Sequence, residues 1–232
     1  MTEWWTYRLQ DFLMFAPRTY YRLFELANAE LWPLHLLALA IGAAILALLA
    51  WPRRLHGAEV ACVLLVLPWL WVGWAFLWQR YAPINWAAAT MAMLFALEGA
   101  LLLLRAAFAD TSLPVVPVWR RRVGCGLWVF ALVLHPLLAP AFGRPWMQAE
   151  WFGIAPDPTV LATLGLLLMV PAARAESTPL RVLQGSTWCV PLLWCLASGA
   201  TLWAMGSAEA GLMPAAAAVA LATVWRSRSA AA

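Results

Sequence analysis

The chain has 232 residues, of which 65% are hydrophobic and only 11% are charged. A soluble domain carries about 25% charged residues, so this much apolar surface excludes an ordinary small soluble core and indicates a protein embedded in lipid. The net charge is +4 and no basic cluster resembles a nucleic-acid footprint, so we expect the lipid bilayer, and not nucleic acid, as partner.

The first 30 residues form an amphipathic segment with too many charges for a cleavable signal peptide. Two helical stripes are separated by Pro17, and their apolar members are Trp5, Leu9, Phe12, Leu13 and Ala16, then Tyr20, Leu23, Phe24 and Ala27. This spacing predicts two short helices that lie on the membrane surface or pack against the outer ends of a bundle.

Residues 31–226 hold seven apolar stretches, each close to the roughly 20 residues that a helix needs to cross a bilayer. They are 31–51, 57–78, 84–108, 123–142, 159–173, 186–205 and 209–225. The fifth and seventh are short, which leaves five or six crossings open. The predicted fold is therefore all-α, a polytopic transmembrane helical bundle of about seven spans, with a cytoplasmic tail at 227–232.

Arginine and tryptophan positions predict the orientation of this bundle. Ten of the 15 arginines fall on alternate connections between spans, as expected for cytoplasmic loops. Tryptophan and tyrosine cluster at the proposed span ends, where aromatic side chains prefer the membrane–water interface. Both signals favour an N-terminus outside and a C-terminus in the cytoplasm.

Two stretches of the chain stand out, WWTYRLQDFLMFAPRTYYRLFELANAELWP at residues 4–33 and FLWQRYAPINWAA at residues 76–88. They resemble a family of uncharacterised bacterial multi-pass membrane proteins of similar length. The family is a domain of unknown function, and some of its members are labelled transporter permease. The resemblance implies a helical membrane fold in the bacterial inner membrane and brings no catalytic residues with it.

Glu98 is the sharpest functional candidate, because an ionisable group inside a span is costly. It lies past the middle of the third predicted span, and Arg105 follows two turns later on the same face. Glu98 either relays a proton or binds a cation, or it is a hydrogen-bonded glutamic acid that joins helices. Gly99 beside it permits the close approach of another helix.

Two histidines, His35 and His135, lie at comparable depths in the outer leaflet of the predicted bundle. Such a pair could supply the axial ligands of a haem or share a metal ion. The plainer interpretation is two separate histidines, each hydrogen-bonded to a helix carbonyl or to interfacial water. No other cofactor is predicted.

Charged residues of the outer loop and the N-terminal segment form a candidate outer pocket. Its predicted members are Glu25, Arg144, Glu150 and Asp157, together with the two histidines. The alternative is salt bridging between the loop and the N-terminal helices. A stripe of Trp71, Trp74 and Trp78 on the second span suits either an aromatic pocket or, more simply, a packing or lipid-facing surface.

The sequence contains no nucleotide-binding, hydrolase or zinc-protease motif, so we expect no enzyme. The four cysteines lie in apolar runs and favour small buried side chains over disulfides. Three hypotheses remain. The protein handles a small solute or ion, or it is an accessory or assembly subunit of a membrane complex or homo-oligomer, or it is a haem- or quinone-linked redox protein.

Overall fold

The computed structural model describes residues 13–50, 56–108, 116–170 and 178–229, and these residues form helices without strands. The helices are α1 Pro17–Leu31, α2 Leu34–Ala50, α3 Gly57–Tyr81, α4 Ala87–Ala107, α5 Val118–Ala141, α6 Pro156–Met169, α7 Thr178–Ser186, α8 Cys189–Ala204 and α9 Leu212–Ser229. The all-α prediction is confirmed.

Four helical stretches are long and apolar enough to cross a membrane. They are α3, α4, α5 and the Arg181–Ala204 stretch, which runs from within α7 to the end of α8. Helices α1 and α2 meet at 94° and could together form a fifth, while α6 and residues 212–227 of α9 are shorter. The helices thus have the character of a membrane protein, and the count of seven crossings stays a prediction.

One end of the bundle, here called the N-terminal face, is held together by polar contacts between segments far apart in sequence. Arg80 at the end of α3 pairs with Glu30 at the end of α1. Arg144, after α5, pairs with Glu209, before α9. The span ends predicted to lie outside therefore meet at one face.

The opposite end, the C-terminal face, collects the span ends predicted to lie inside. Arg121 of α5 donates hydrogen bonds to the last carbonyls of α2, at Leu49 and Ala50. Arg226 of α9 lies over the ring of Trp119 at the start of α5. The arginine alternation seen in the sequence thus corresponds to a physical separation between the two faces.

Helix α1 follows its predicted stripe and packs on the bundle. It begins at Pro17, whose fixed φ and missing N–H suit the first turn of a helix. The predicted apolar residues Tyr20, Leu23, Phe24 and Ala27 are all buried. Phe24 stacks on Phe76 of α3 with ring centroids 4.8 Å apart. Of the preceding predicted helix, residues 2–12 lie outside the described residues and 13–16 are not helical.

Helix α6 occupies the centre of the bundle, because every one of its 14 residues is buried. At about 1.5 Å per residue it spans roughly 21 Å, less than the ~30 Å hydrocarbon core of a bilayer. It crosses α5 at two glycines, where a Cβ on Gly124 would lie 2.6 Å from the Gly165 carbonyl oxygen. Helix α6 is therefore surrounded by protein and not by lipid.

Candidate functional site

Three buried side chains that can ligate metals converge near the N-terminal face. His135, Glu150 and Asp157 are only 3%, 4% and 4% exposed. One ligand atom from each lies within 4.8 Å of the other two. We call these three residues the N-face cluster. All three were predicted members of the outer pocket, and the structure brings them together.

The three residues of the cluster come from different parts of the fold. His135 lies in α5 where a π-helical turn at Phe130–Leu134 gives way to a 3-10 turn that contains Pro136, a residue without an N–H. Glu150 lies in the connection between α5 and α6, outside the candidate spans. Asp157 lies in the first turn of α6, where a negative charge is favourable to the helix dipole.

Helix α8 holds the Asp157 carboxylate in place. Trp194 Nε1 donates to Oδ1 at 2.7 Å, and the Ser198 hydroxyl donates to Oδ2, also at 2.7 Å. The two donors are four residues apart and therefore share one face of α8. Sequence reasoning missed both donors, since neither stands out in an apolar span.

The pair of Arg144 and Glu209 lies beside the cluster and is almost completely buried, with side chains 11% and 6% exposed. Arg144 donates from Nη2 to both carboxylate oxygens at 2.6 and 2.8 Å and from Nε at 3.1 Å. It also donates to the Gln148 carbonyl and lies 4.2 Å from the ring centre of Tyr21. Arg144, one of the residues predicted for the outer pocket, thus lies beside the cluster, and its carboxylate partner Glu209 was not among the candidates.

Electrostatics at Glu150 reflect burial among acidic neighbours. Burial raises the pKa of this carboxyl well above its usual range, and the nearby Asp157 raises it further. Arg144 acts in the opposite direction, and Glu209 adds to the increase. In the cluster, a negative charge on one carboxyl therefore opposes the ionisation of the other.

Two other predicted pocket residues have different partners. His35 donates from Nε2 to the Asn28 side-chain oxygen at 2.9 Å, and Asn28 in turn donates to the carbonyls of Met147 and Ala149 at 2.8 Å each. Glu25 pairs with its neighbour Arg22. Each of the two histidines has its own surroundings, and their joint ligation of a haem stays a prediction.

Glu98 lies on the buried face of α4 and is 0% exposed. Neither of its carboxylate oxygens has a hydrogen-bond partner among the described residues. Arg105 lies on the same buried face, interacts electrostatically with Glu98 and reaches the Thr187 hydroxyl at 3.5 Å. A Cβ on Gly99 would lie 3.0 Å from Leu70 of α3, which agrees with the predicted close approach.

The tryptophan stripe of α3 points away from the bundle. Trp74 and Trp78 are exposed, Trp71 is half-buried, and the rings of Trp71 and Trp74 are 5.7 Å apart. This placement fits the lipid-facing interpretation. By contrast, Trp69 is fully buried and donates from Nε1 to the Thr163 hydroxyl of α6 at 2.8 Å.

No curated protein and no solved structure is significantly similar to this chain. A family of unknown function, DUF6064, matches residues 18–232, and the chain therefore belongs to that family.

Proposed function

We propose that this protein sits in a bacterial cytoplasmic membrane and moves a proton or small cation, with Glu98 as the group that carries the charge. The observation that carries this proposal is the Glu98 carboxylate, which is fully buried in a candidate span and has no hydrogen-bond partner among the described residues. A transporter or permease role of this kind also agrees with the apolar helices on either side.

A charge in apolar surroundings is costly. An ionised carboxylate without hydrogen bonds is strongly destabilised there, so its charge must be offset by a proton, a bound cation or a nearby arginine. Arg105 is close enough to interact electrostatically, but it also contacts Thr187 and the Cys62 thiol. The apolar surroundings favour the protonated form of Glu98, and Arg105 favours the ionised form. Glu98 can therefore take up and release a proton, as a proton-relay residue must.

The proposed orientation places the N-terminal face outside and the C-terminal face in the cytoplasm. Several arginines that precede or follow spans lie at the C-terminal face, and cytoplasmic loops are enriched in arginine. Exposed tryptophans occur at both faces, where interfacial anchors are expected, and they are Trp32, Trp78, Trp86, Trp146, Trp203 and Trp225.

Proton flux into proteoliposomes tests the proposal. A potassium diffusion potential, negative inside, drives protons into vesicles that contain a trapped pH-sensitive dye. We expect wild-type vesicles to acidify faster than empty liposomes and Glu98→Gln to reduce the rate to that of empty liposomes. The amide matches the carboxylic acid in size and cannot release a proton.

The matched control makes the same chemical change at the surface. Glu25→Gln removes a partly exposed carboxylate that pairs with its neighbour Arg22, and it should leave the flux unchanged. Proton transport is excluded if wild-type vesicles acidify no faster than empty ones, and the role of Glu98 is wrong if Glu98→Gln keeps the wild-type rate.

A further inference from the structure

The N-face cluster has the composition of a metal site and does not involve Glu98. One nitrogen ligand and two carboxylates, from His135, Glu150 and Asp157, lie within 4.8 Å of one another. The three residues are separated by 15 and then seven positions in sequence. Because they come from α5, a connection and α6, only the folded chain brings them together.

The charges of the cluster call for a positive partner. Two ionised carboxylates at this distance repel each other strongly when buried. The arginine that interacts with Glu150 is Arg144, whose charge is already balanced by three hydrogen bonds to the carboxylate of Glu209. A bound divalent cation would offset the remaining negative charge.

Two side chains of the cluster carry buried atoms without a partner. His135 Nδ1 and Glu150 Oε2 are buried and have no hydrogen-bond partner among the described residues. Buried polar atoms are nearly always hydrogen-bonded, so two such atoms in one cluster indicate a missing partner. A metal ion accepts electron pairs from both a neutral imidazole nitrogen and a carboxylate oxygen.

Asp157 shows the complementary arrangement, since its carboxylate is already oriented by neighbours. Trp194 and Ser198 each donate to one of its oxygens at 2.7 Å. Outer hydrogen bonds of this kind fix the ligands of metal sites and are part of their affinity. Each carboxylate oxygen keeps a second lone pair with which to bind a cation.

We propose that His135, Glu150 and Asp157 bind a divalent transition-metal ion, of which Zn²⁺ is the best-fitting example. Ligand atoms about 2.1 Å from a tetrahedral ion lie roughly 3.4 Å apart, so the observed cluster needs side-chain shifts of no more than about 1 Å. The imidazole favours Zn²⁺ over Mg²⁺ and Ca²⁺, which prefer oxygen ligands alone. With three protein ligands, a tetrahedral ion keeps a fourth coordination position open. The bound ion would connect the end of α5 to the start of α6.

Metal content and thermal stability test this site on the full chain. The protein is purified in mild detergent through a tag without histidines, stripped with EDTA, incubated with Zn²⁺ and desalted. We expect about one Zn²⁺ per chain and a higher unfolding temperature than in EDTA, with no such shift for Mg²⁺. Glu150→Gln and Asp157→Asn should each weaken Zn²⁺ binding at least about tenfold.

Two further measurements separate metal binding from misfolding. His56→Gln changes an exposed histidine near Glu59, a possible surface site for zinc, and should keep the wild-type zinc content. Glu150→Gln should unfold in EDTA close to the wild-type temperature, because the amide matches the carboxylic acid in size. Co²⁺ in place of Zn²⁺ should give visible absorption bands that both cluster variants lose.

The outcomes are decisive in either direction. Wild-type protein that retains no Zn²⁺ and unfolds at one temperature with or without the ion would overturn the proposal and assign the cluster to carboxyls that share a proton. Unchanged zinc content and Co²⁺ bands in the cluster variants would also overturn it. Neither result depends on proton flux, so this test stands apart from the one for Glu98.

Discussion

At the scale of single residues, the pair of Arg144 and Glu209 is almost completely removed from water. Desolvation of two charges is expensive, and the attraction between them offsets it only while both are present. Arg144 also donates to the Gln148 carbonyl and packs on Tyr21 of α1, whose hydroxyl donates to Ser207. The pair therefore links α1, the α5–α6 connection and the segment before α9.

Breaking this pair from one side should be worse than removing it altogether. Arg144→Leu leaves Glu209 buried without its counter-ion and should cost about 3–5 kcal/mol of unfolding free energy. The double variant Arg144→Leu/Glu209→Leu should recover a large part of that loss, because no unpaired charge remains. Unfolding in mixed micelles with increasing denaturing detergent measures both values.

The exposed pair of Arg22 and Glu25 supplies the comparison. Arg22→Leu should change the unfolding free energy by less than about 1 kcal/mol, since solvent screens such pairs. If the losses of unfolding free energy in Arg144→Leu and Glu209→Leu instead add up to the loss in the double variant, the two charges do not act as a unit.

At the scale of helices, the crossing of α5 and α6 is set by two glycines that face each other. A Cβ on Gly124 would lie 2.6 Å from the Gly165 carbonyl oxygen, and a Cβ on Gly165 would lie 2.7 Å from the Gly124 carbonyl oxygen. Small residues at such a contact let two backbones approach closely, which is how helices associate without a hydrophobic driving force. Helix α6 can therefore be fully enclosed although it is short.

Alanine at this crossing should force the two helices apart. Gly124→Ala should lower the unfolding free energy by about 1–3 kcal/mol, as overpacked cores do. Gly126→Ala on the same helix is the matched control, because a Cβ there would meet nothing within 4 Å beyond the backbone of its own helix. The control should be neutral or more stable, since glycine disfavours helix interiors. Equal destabilisation by both variants would argue against the close crossing.

At the scale of the whole molecule, the sequence predicted what repeats along a helix and missed what depends on distant contacts. The stripe of Tyr20, Leu23, Phe24 and Ala27 was predictable because burial on one face has a 3.6-residue period. The grouping of His135, Glu150 and Asp157 was predictable from the polar residues near span ends. The partner of Arg144 did not, because Glu209 is 65 residues away and no periodicity relates the two.

The number of membrane crossings depends on whether α6 crosses the bilayer. If this buried helix crosses the membrane, the chain enters it from the N-terminal face and leaves at the C-terminal face. The exposed residues Met147, before α6, and Thr178, at the start of α7, then lie on opposite sides. Seven crossings further place the chain's two termini on opposite sides, whereas a six-crossing chain places them on the same side.

Labelling of single cysteines in intact cells tests this topology directly. In a background in which the four native cysteines are replaced, Met147→Cys should react with a membrane-impermeant maleimide. Thr178→Cys should react only after the membrane is permeabilised. His56→Cys, at an exposed C-terminal-face position, is the control and should behave like Thr178→Cys. If both Met147→Cys and Thr178→Cys react from outside, α6 enters and leaves on the same side, and the prediction of seven spans is wrong.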